Sequence, residues 1–243
     1  ARQLDLLLLN AKVMNSELDG FVDAHVGVAD GVILSVDESR PAVGARETID
    51  LGGAVLLPGF ISAHTHVAQS FGKGIFDGLH LTQWLTTLRR TYADLTDEQV
   101  YAATLLGALE SIRSGVTFIN DMATVGERFD VVAQAIVDSG VRAHIGSAFL
   151  DRREGDSPAP TSSTDQVLEQ MSALHRRWDG AGEGRVRVAI SPVGLPACSR
   201  ALMEQSAALA RELDAPLHTH CSEEKAATAE SWDRFGMSEV RAL

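Results

Sequence analysis

The residues PGFISAHTH at positions 58–66 decide the fold, because an apolar run with the character of a β-strand ends there in His-x-His. Side chains alternate along a strand, so His64 and His66 point to one side and Thr65 points to the other. Two imidazoles at this spacing can bind one metal ion. Pairs like this also occur as buried or surface histidines without a metal, so this motif alone leaves both interpretations open.

A second apolar run, LHTHCSE at 217–223, also ends in His-x-His and carries an acid three residues further on. If the chain forms a barrel of parallel strands, the two runs face each other across the barrel, and His220 completes a metal site. Glu223 can then take a proton from a water at the metal and pass it to a leaving group. His218 lies one pleat deeper and is expected to fill the barrel interior. Asp121 is interpreted either as the acceptor for a ligand histidine or as a helix N-cap.

The order of segments indicates two architectures in one chain. Residues before position 58 are typical of β-strands, being apolar, partly alternating and separated by turn residues such as Asp30-Gly31, a hairpin dipeptide. Later residues alternate short apolar runs with long helical stretches, as in βα units with a parallel sheet. We predict strands over 4–14, 24–36, 47–57, 60–66, 116–121, 142–148, 186–191 and 215–220, helices over 81–92, 97–114, 127–139, 164–179 and 199–213, and a surface loop over 157–163.

The number of units bears on the type of sheet. Five βα units are predicted here, whereas a closed (β/α)8 barrel needs eight. The sheet is therefore either open or part of a truncated barrel, and the two histidine motifs favour the truncated barrel. We expect an α/β fold of the TIM-like barrel type, with a small β-sandwich part over 1–57 and the first part of the barrel over 58–243.

The charge of the chain argues against several classes of partner. Its 243 residues carry a formal net charge of −12, so nucleic acid and anionic membrane surfaces would be repelled. A small neutral or cationic substrate fits this charge better. No apolar run reaches the ~18 residues that span a bilayer, and the first residues lack the basic flank and cleavage site of a signal peptide. We therefore expect a cytoplasmic protein and leave a homo-oligomeric assembly open.

Three segments together resemble the cytosine deaminase, adenosylhomocysteine deaminase and triazine hydrolase branch of the amidohydrolase superfamily: PGFISAHTH at 58–66, GVTF at 115–118 and LHTHCSE at 217–223. The resemblance implies a distorted (β/α)8 barrel, a β-sandwich assembled from both chain ends, and one divalent metal, zinc or iron. It gives the role of metal ligand to His64, His66 and His220, and the role of acid/base to Glu223. The implied activity is hydrolysis of a C–N or C–Cl bond of an N-heterocycle, as in a deaminase.

Departures of this sequence from that branch narrow the expected number of metals and the expected class of substrate. Binuclear members bridge two metals with a carboxylated lysine on strand four, whereas the predicted strand over 186–191 has no lysine, which favours one metal. Nucleoside deaminases of the branch often carry a histidine where this chain has Val193, and a Pro-x-Glu after the Trp-Leu pair that is 84–85 here. Because both polar groups are missing, we expect a less polar heterocycle such as a triazine or pyrimidine. Trp84 and Gln69 occur where the branch builds its pocket wall, and we expect them to contact substrate, with core packing as the alternative for Trp84.

Two other classes of function stay open at this point. The first is hydrolysis of a different bond, such as an amide, carbamate or phosphoester, because a His-x-His motif also begins the metal sites of such hydrolases. The second is a non-catalytic scaffold, since some barrels of the superfamily have lost their ligands. The three histidines and Glu223 are all retained here, which speaks against a scaffold.

Overall fold

The structure, a computed structural model, describes residues 3–123, 128–152 and 162–243. Backbone contacts divide the chain into two units, Ala1–Gly59 and Phe60–Leu243. The predicted loop over 157–163 lies outside the described residues except for its last two positions. Among the described helices, none is both long and apolar enough to cross a membrane.

The first unit contains one mixed sheet, whose strands are β1 (Leu4–Met14), β2 (Phe21–Ala29), β3 (Val32–Asp37), β4 (Ala45–Asp50) and β5 (Val55–Leu56). Strand β1 is central, because it pairs antiparallel with β2 and parallel with both β4 and β5. Strand β3 pairs antiparallel with β2 at the edge. Leu7 and Leu9 alternate along β1, and together with Leu4 and Ala29 they form the buried cluster of this unit.

Turns divide two of the predicted strands in this unit. The run over 24–36 changes direction at Asp30 and Gly31, whose φ values of 50° and 72° confirm the predicted hairpin turn. The run over 47–57 is not one strand, which corrects the prediction. Gly52 and Gly53 there adopt φ values of 58° and 86°, and a left-handed backbone cannot continue an extended strand.

The second unit is built on a parallel sheet in the order β6 (Phe60–Thr65), β7 (Val116–Ala123), β8 (Arg142–Ser147) and β9 (Val186–Val188). Its α-helices are α1 (Leu81–Ala93), α2 (Asp97–Arg113), α3 (Phe129–Ser139), α4 (Thr164–Trp178), α5 (Arg200–Glu212), α6 (Lys225–Phe235) and α7 (Glu239–Ala242). The five predicted helices are thereby confirmed. Helix α2 begins with a capping box, since the Thr96 side chain accepts from the backbone of Gln99 and Gln99 accepts from the backbone of Thr96.

The fifth predicted barrel strand, over 215–220, is wrong as a regular strand. It is joined to the sheet by an isolated parallel bridge between Ile190 and Leu217, in which Ile190 donates to the carbonyl of Pro216 and His218 donates to the carbonyl of Ile190. Pro216 has no N–H to donate, which shortens the ladder. The segment still runs parallel beside β9, so the described residues supply five βα units of a TIM-like barrel.

Alternation along the parallel strands separates two sides of the sheet. Ile119, Ile145 and Val188 are fully buried and pack with the residues of α3, including Val132 and Ile136. On each strand, the residues that alternate with these buried side chains face the barrel interior. The histidines of both His-x-His motifs lie on this interior side of the sheet.

A close backbone contact fixes the chain immediately after β6. Residues Val67–Gly72 form a 3₁₀ helix, and Gly107 of α2 lies so near that a Cβ added there would be 2.5 Å from the carbonyl oxygen of Val67. Backbone atoms on both sides leave no room for a methyl group. The glycine therefore lets α2 pack directly on the residue that follows His66.

We expect Gly107→Ala to lower the free energy of unfolding by about 1–3 kcal/mol, because a packed backbone resists overfilling. Alanine in an open helix would instead stabilise by up to ~1 kcal/mol. Thermal unfolding measures the difference, at roughly 2–4 °C per kcal/mol. Ala102→Gly, at an exposed position of α2, calibrates the helix-propensity term in the opposite direction. An unfolding temperature of Gly107→Ala at or above that of the parent protein would contradict the close packing.

Candidate metal centre and cavity

The three histidines predicted as ligands lie together at one end of the barrel sheet. The Nε2 atom of His66 is 3.2 Å from Nε2 of His64 and 3.3 Å from Nε2 of His220. Their ligand atoms all lie within 4.8 Å of one another, a group that could hold a metal ion. The structure therefore brings together His64 and His66 from the end of β6 and His220 from the fifth barrel segment.

Backbone carbonyls set the tautomer of two of these imidazoles. Nδ1 of His66 is 2.5 Å from the carbonyl oxygen of Met122, and Nδ1 of His220 is 2.7 Å from that of Val193. A carbonyl oxygen can only accept, so each Nδ1 carries the proton. Each Nε2 therefore keeps its lone pair and turns it toward the other ligands.

His218 has a comparable role for His64. Its Nε2 atom is 2.8 Å from Nδ1 of His64, and its side chain is buried, as predicted for the residue one pleat below His220. If Nδ1 of His64 donates to His218, the Nε2 of His64 is free to bind a metal. Sequence analysis missed this contact, although the alternation that placed His218 inside the barrel was the available signal.

The donor set and its spacing fit a tetrahedral divalent metal. Zinc bonds to imidazole nitrogen at about 2.0–2.1 Å, which separates two ligands of a tetrahedron by about 3.3 Å. The two short Nε2 separations, 3.2 and 3.3 Å, match that edge length. Burial lowers the pKa of His66 to about 4, with the neighbouring His220 and His64 lowering it further and the Met122 carbonyl opposing the shift. Burial also lowers the pKa of His64, so both rings are neutral at pH 7 and could bind a metal ion.

A cavity of about 790 Å³ opens over the three imidazoles. Glu223 lines it from the loop after His220, and its side chain is exposed. Trp84 and Gln69, the two predicted substrate contacts, line the same cavity from α1 and from the 3₁₀ helix. The structure therefore brings every predicted site residue to a single cavity.

The structure assigns Asp121 to neither of the roles considered from sequence. The acceptor for His66 is the Met122 carbonyl, and Asp121 lies within β7. Its Oδ1 accepts the N–H of Val67 at 2.7 Å, so it fixes the start of the 3₁₀ helix next to His66. Burial raises the pKa of Asp121 to about 7, while the Val67 hydrogen bond lowers it.

Sequence analysis also missed a buried acid beside the cavity. Glu239, the first residue of α7, is 2% exposed and lines the cavity. Its Oε2 accepts the N–H of Ser222 at 2.7 Å. No motif in the sequence marks this residue, because the contact joins positions 17 residues apart.

Comparison with known proteins gives one family. The sequence model of the Amidohydrolase family matches residues 55–242. The chain is 32% identical over 246 residues to a 5-methylthioadenosine/S-adenosylhomocysteine deaminase of Nitratidesulfovibrio vulgaris, covering 98% of the chain and 54% of that relative. The chain therefore spans about half the length of the curated relatives it matches.

Solved structures of two kinds share the fold. An atrazine chlorohydrolase from Arthrobacter aurescens in complex with zinc aligns with a TM-score of 0.86 at 22% identity, covering 98% of this chain and 57% of that one. An adenosine deaminase from Xanthomonas campestris with bound zinc aligns with a TM-score of 0.83 at 27% identity, covering 99% of this chain and 54% of that one. Both structures place this chain in the amidohydrolase barrel fold.

We expect His218→Phe to weaken metal binding by about 10- to 100-fold, the usual effect of removing a group that orients a histidine ligand. Phenylalanine keeps the ring volume but offers no atom to accept from Nδ1 of His64. Competition with a chromophoric chelator measures the affinity. His144→Phe is the matched control, because His144 is another histidine of the barrel strands, with its ring edge-on to Phe118. Equal affinities for the two variants would contradict an orienting role of His218.

Proposed function

Because the chain belongs to the Amidohydrolase family, we propose that it supplies the metal site of a hydrolase that attacks an electrophilic ring carbon of an N-heterocycle, releasing ammonia, an amine or halide. One observation carries the proposal. The Nε2 atom of His66 lies 3.2 Å from that of His64 and 3.3 Å from that of His220, beside a cavity that these histidines line together with an acid, Glu223. Hydrolysis of a ring C–N or C–Cl bond requires both an activated water and a proton carrier.

His64, His66 and His220 would hold the metal in this proposal. Zinc is favoured over iron because a site of neutral imidazoles in tetrahedral spacing is typical of zinc. A bound zinc ion lowers the pKa of its water to roughly 7 and so supplies a nucleophile at neutral pH. One metal is proposed, because the barrel strand β9 (Val186–Val188) contains no lysine that could bridge a second ion.

Glu223 is proposed to move the proton. Its carboxylate would accept a proton from the attacking water and return it to the departing nitrogen. Two features support this role: Glu223 follows His220 by three residues, and it lines the cavity together with His66 and His220. Its exposed side chain can reach the cavity without breaking a buried contact.

The substrate is proposed to be a small N-heterocycle that packs against Trp84 and hydrogen-bonds with Gln69. Leu81 and Leu85 of α1 add apolar surface to the same cavity. The indole of Trp84 and the aliphatic side chains can pack on a flat ring, and the side-chain amide of Gln69 can hydrogen-bond with the ring nitrogen atoms. Relatives include deaminases of adenosine derivatives as well as triazine hydrolases, so the preference for a less polar ring stays a prediction.

We also propose that 1–57 and 58–243 are separate domains, of which the second carries this site.

The purified protein is expected to hold about one equivalent of zinc or iron. Elemental analysis after removal of loosely bound ions measures the ratio. Replacing His66 or His220 by alanine should reduce the bound metal, because each removes one of three ligands. Two tightly held ions per chain would contradict the mononuclear site.

Glu223→Gln is expected to keep the metal and lose turnover by ~100-fold or more, the usual scale for a general acid/base. Release of ammonia or chloride from a panel of aminopurine nucleosides, aminopyrimidines and substituted triazines measures the activity. Glu224→Gln is the matched control, because it removes the same charge one residue further on. If Glu224→Gln lost the activity and Glu223→Gln kept it, the proton-transfer role of Glu223 would fail.

A further inference from the structure

The backbone just before Glu223 adopts an unusual conformation. Ser222 has φ of 55°, in the left-handed region that L-residues with a side chain rarely adopt. Such a residue persists only where its surroundings hold it, and these residues are concentrated at functional sites. This turn sets the direction in which the chain leaves His220, and therefore where the Glu223 carboxylate lies.

Glu239 holds that turn through a single backbone contact. Its Oε2 accepts the N–H of Ser222 at 2.7 Å, and the side chain is 2% exposed. A carboxylate in such a place is stabilised by the hydrogen bonds that it accepts, and a backbone N–H is a strong donor to it. This hydrogen bond therefore stabilises both the buried carboxylate of Glu239 and the left-handed conformation of Ser222.

The position of Glu239 is itself fixed by contacts remote from the turn. Helix α6, which precedes it, is anchored by Arg234, whose guanidinium donates to the carbonyl of Leu195 at 2.5 Å and to that of Cys198 at 3.0 Å. Ser231 of α6 donates to the carbonyl of Met237 at 2.9 Å, which ties the end of α6 to the start of α7. The carboxylate thus projects from an anchored segment onto the loop that carries Glu223.

We propose that Glu239 is a positioning residue for the reaction, which holds the turn at Ser222 and so directs the Glu223 carboxylate into the cavity. The inference rests on the proposed role of Glu223 in proton transfer. Glu239 also lines the cavity, but its Oε2 is engaged with a backbone N–H rather than with a reacting atom. Only the acceptor oxygen of Glu239 is needed, and not its ability to exchange a proton.

Two substitutions of Glu239 separate its role as a hydrogen-bond acceptor from its ability to exchange a proton. Glu239→Gln retains an oxygen that can accept from Ser222, whereas Glu239→Ala removes it. We expect Glu239→Ala to lower kcat by about 10- to 100-fold, because small misplacements of a reacting group have effects of that size. KM and bound metal should stay near their parent values. Glu239→Gln should retain kcat within about threefold, since its acceptor remains.

Thr104→Val is the control for a purely structural effect. It removes the buried hydrogen bond that Thr104 donates to the carbonyl of Val100 within α2, and leaves Ser222 and Glu239 with their contacts. We expect a lower unfolding temperature with kcat near the parent value. If Thr104→Val lowered kcat as much as Glu239→Ala at a similar loss of stability, or if Glu239→Gln were as slow as Glu239→Ala, the positioning role would be overturned.

A double-mutant cycle tests whether Glu239 acts through Glu223. If it does, Glu239→Ala should cause no further loss of kcat in the Glu223→Gln background, because a misplaced amide has no proton transfer left to impair. Equal losses in both backgrounds would overturn this inference and leave the proposed function intact. Full turnover of Glu223→Gln alone would instead overturn the proposed function, and this inference with it.

Discussion

Mutual repulsion among three converging nitrogen lone pairs is the constraint on which the rest of this site depends. The Nε2 atom of His66 is 3.2 Å from that of His64 and 3.3 Å from that of His220, which brings the lone pairs of neutral imidazoles too close to be stable without a bound cation or proton between them. A cation among them turns the repulsion into attraction, and the separation matches a tetrahedral edge. The fold of this Amidohydrolase family member presents these atoms from segments more than 150 residues apart.

Neutral backbone groups, rather than charges, orient the imidazoles. The carbonyls of Met122 and Val193 each accept an Nδ1 proton. The Met122 carbonyl lies in β7 and the Val193 carbonyl follows β9, toward the strand ends from which a barrel directs its loops to one face. Orientation therefore follows from strand register, and substituting side chains on the outer face of the sheet would leave it unchanged. His218 adds the one side-chain contact, at 2.8 Å from His64.

Three features that cost free energy lie around the same cavity. Asp121 is fully buried with an oxygen that lacks a partner among the described residues, Ser222 is left-handed, and Glu239 is a buried acid. Each would destabilise an ordinary core. The two acids accept hydrogen bonds from the backbone beside a predicted site residue, Asp121 from Val67 after His66 and Glu239 from Ser222 before Glu223. Polar groups are thus buried where the loops that carry the site must be held.

Local patterns in the sequence determined the features that depend on neighbours along the chain. Alternation placed His64 and His66 on one side of a strand, a capping box fixed the start of α2, and Asp30-Gly31 fixed a hairpin turn. Periodicity and capping extend over a few residues, so a sequence contains them in full. The three candidate ligands, Glu223, Trp84 and Gln69 were predicted from these patterns together with the family resemblance, and they meet at one cavity.

The tertiary structure alone decided which groups hold those residues in place. His64 meets His218 across 154 positions, His66 meets Met122 across 56, and Ser222 meets Glu239 across 17. It also reduced the predicted strand over 215–220 to an isolated bridge beside Ile190. Such pairings depend on strand order, register and the packing of helices, which no short-range periodicity encodes. The sequence thus determined which residues are candidates for the site, and the fold determined the hydrogen bonds that orient them.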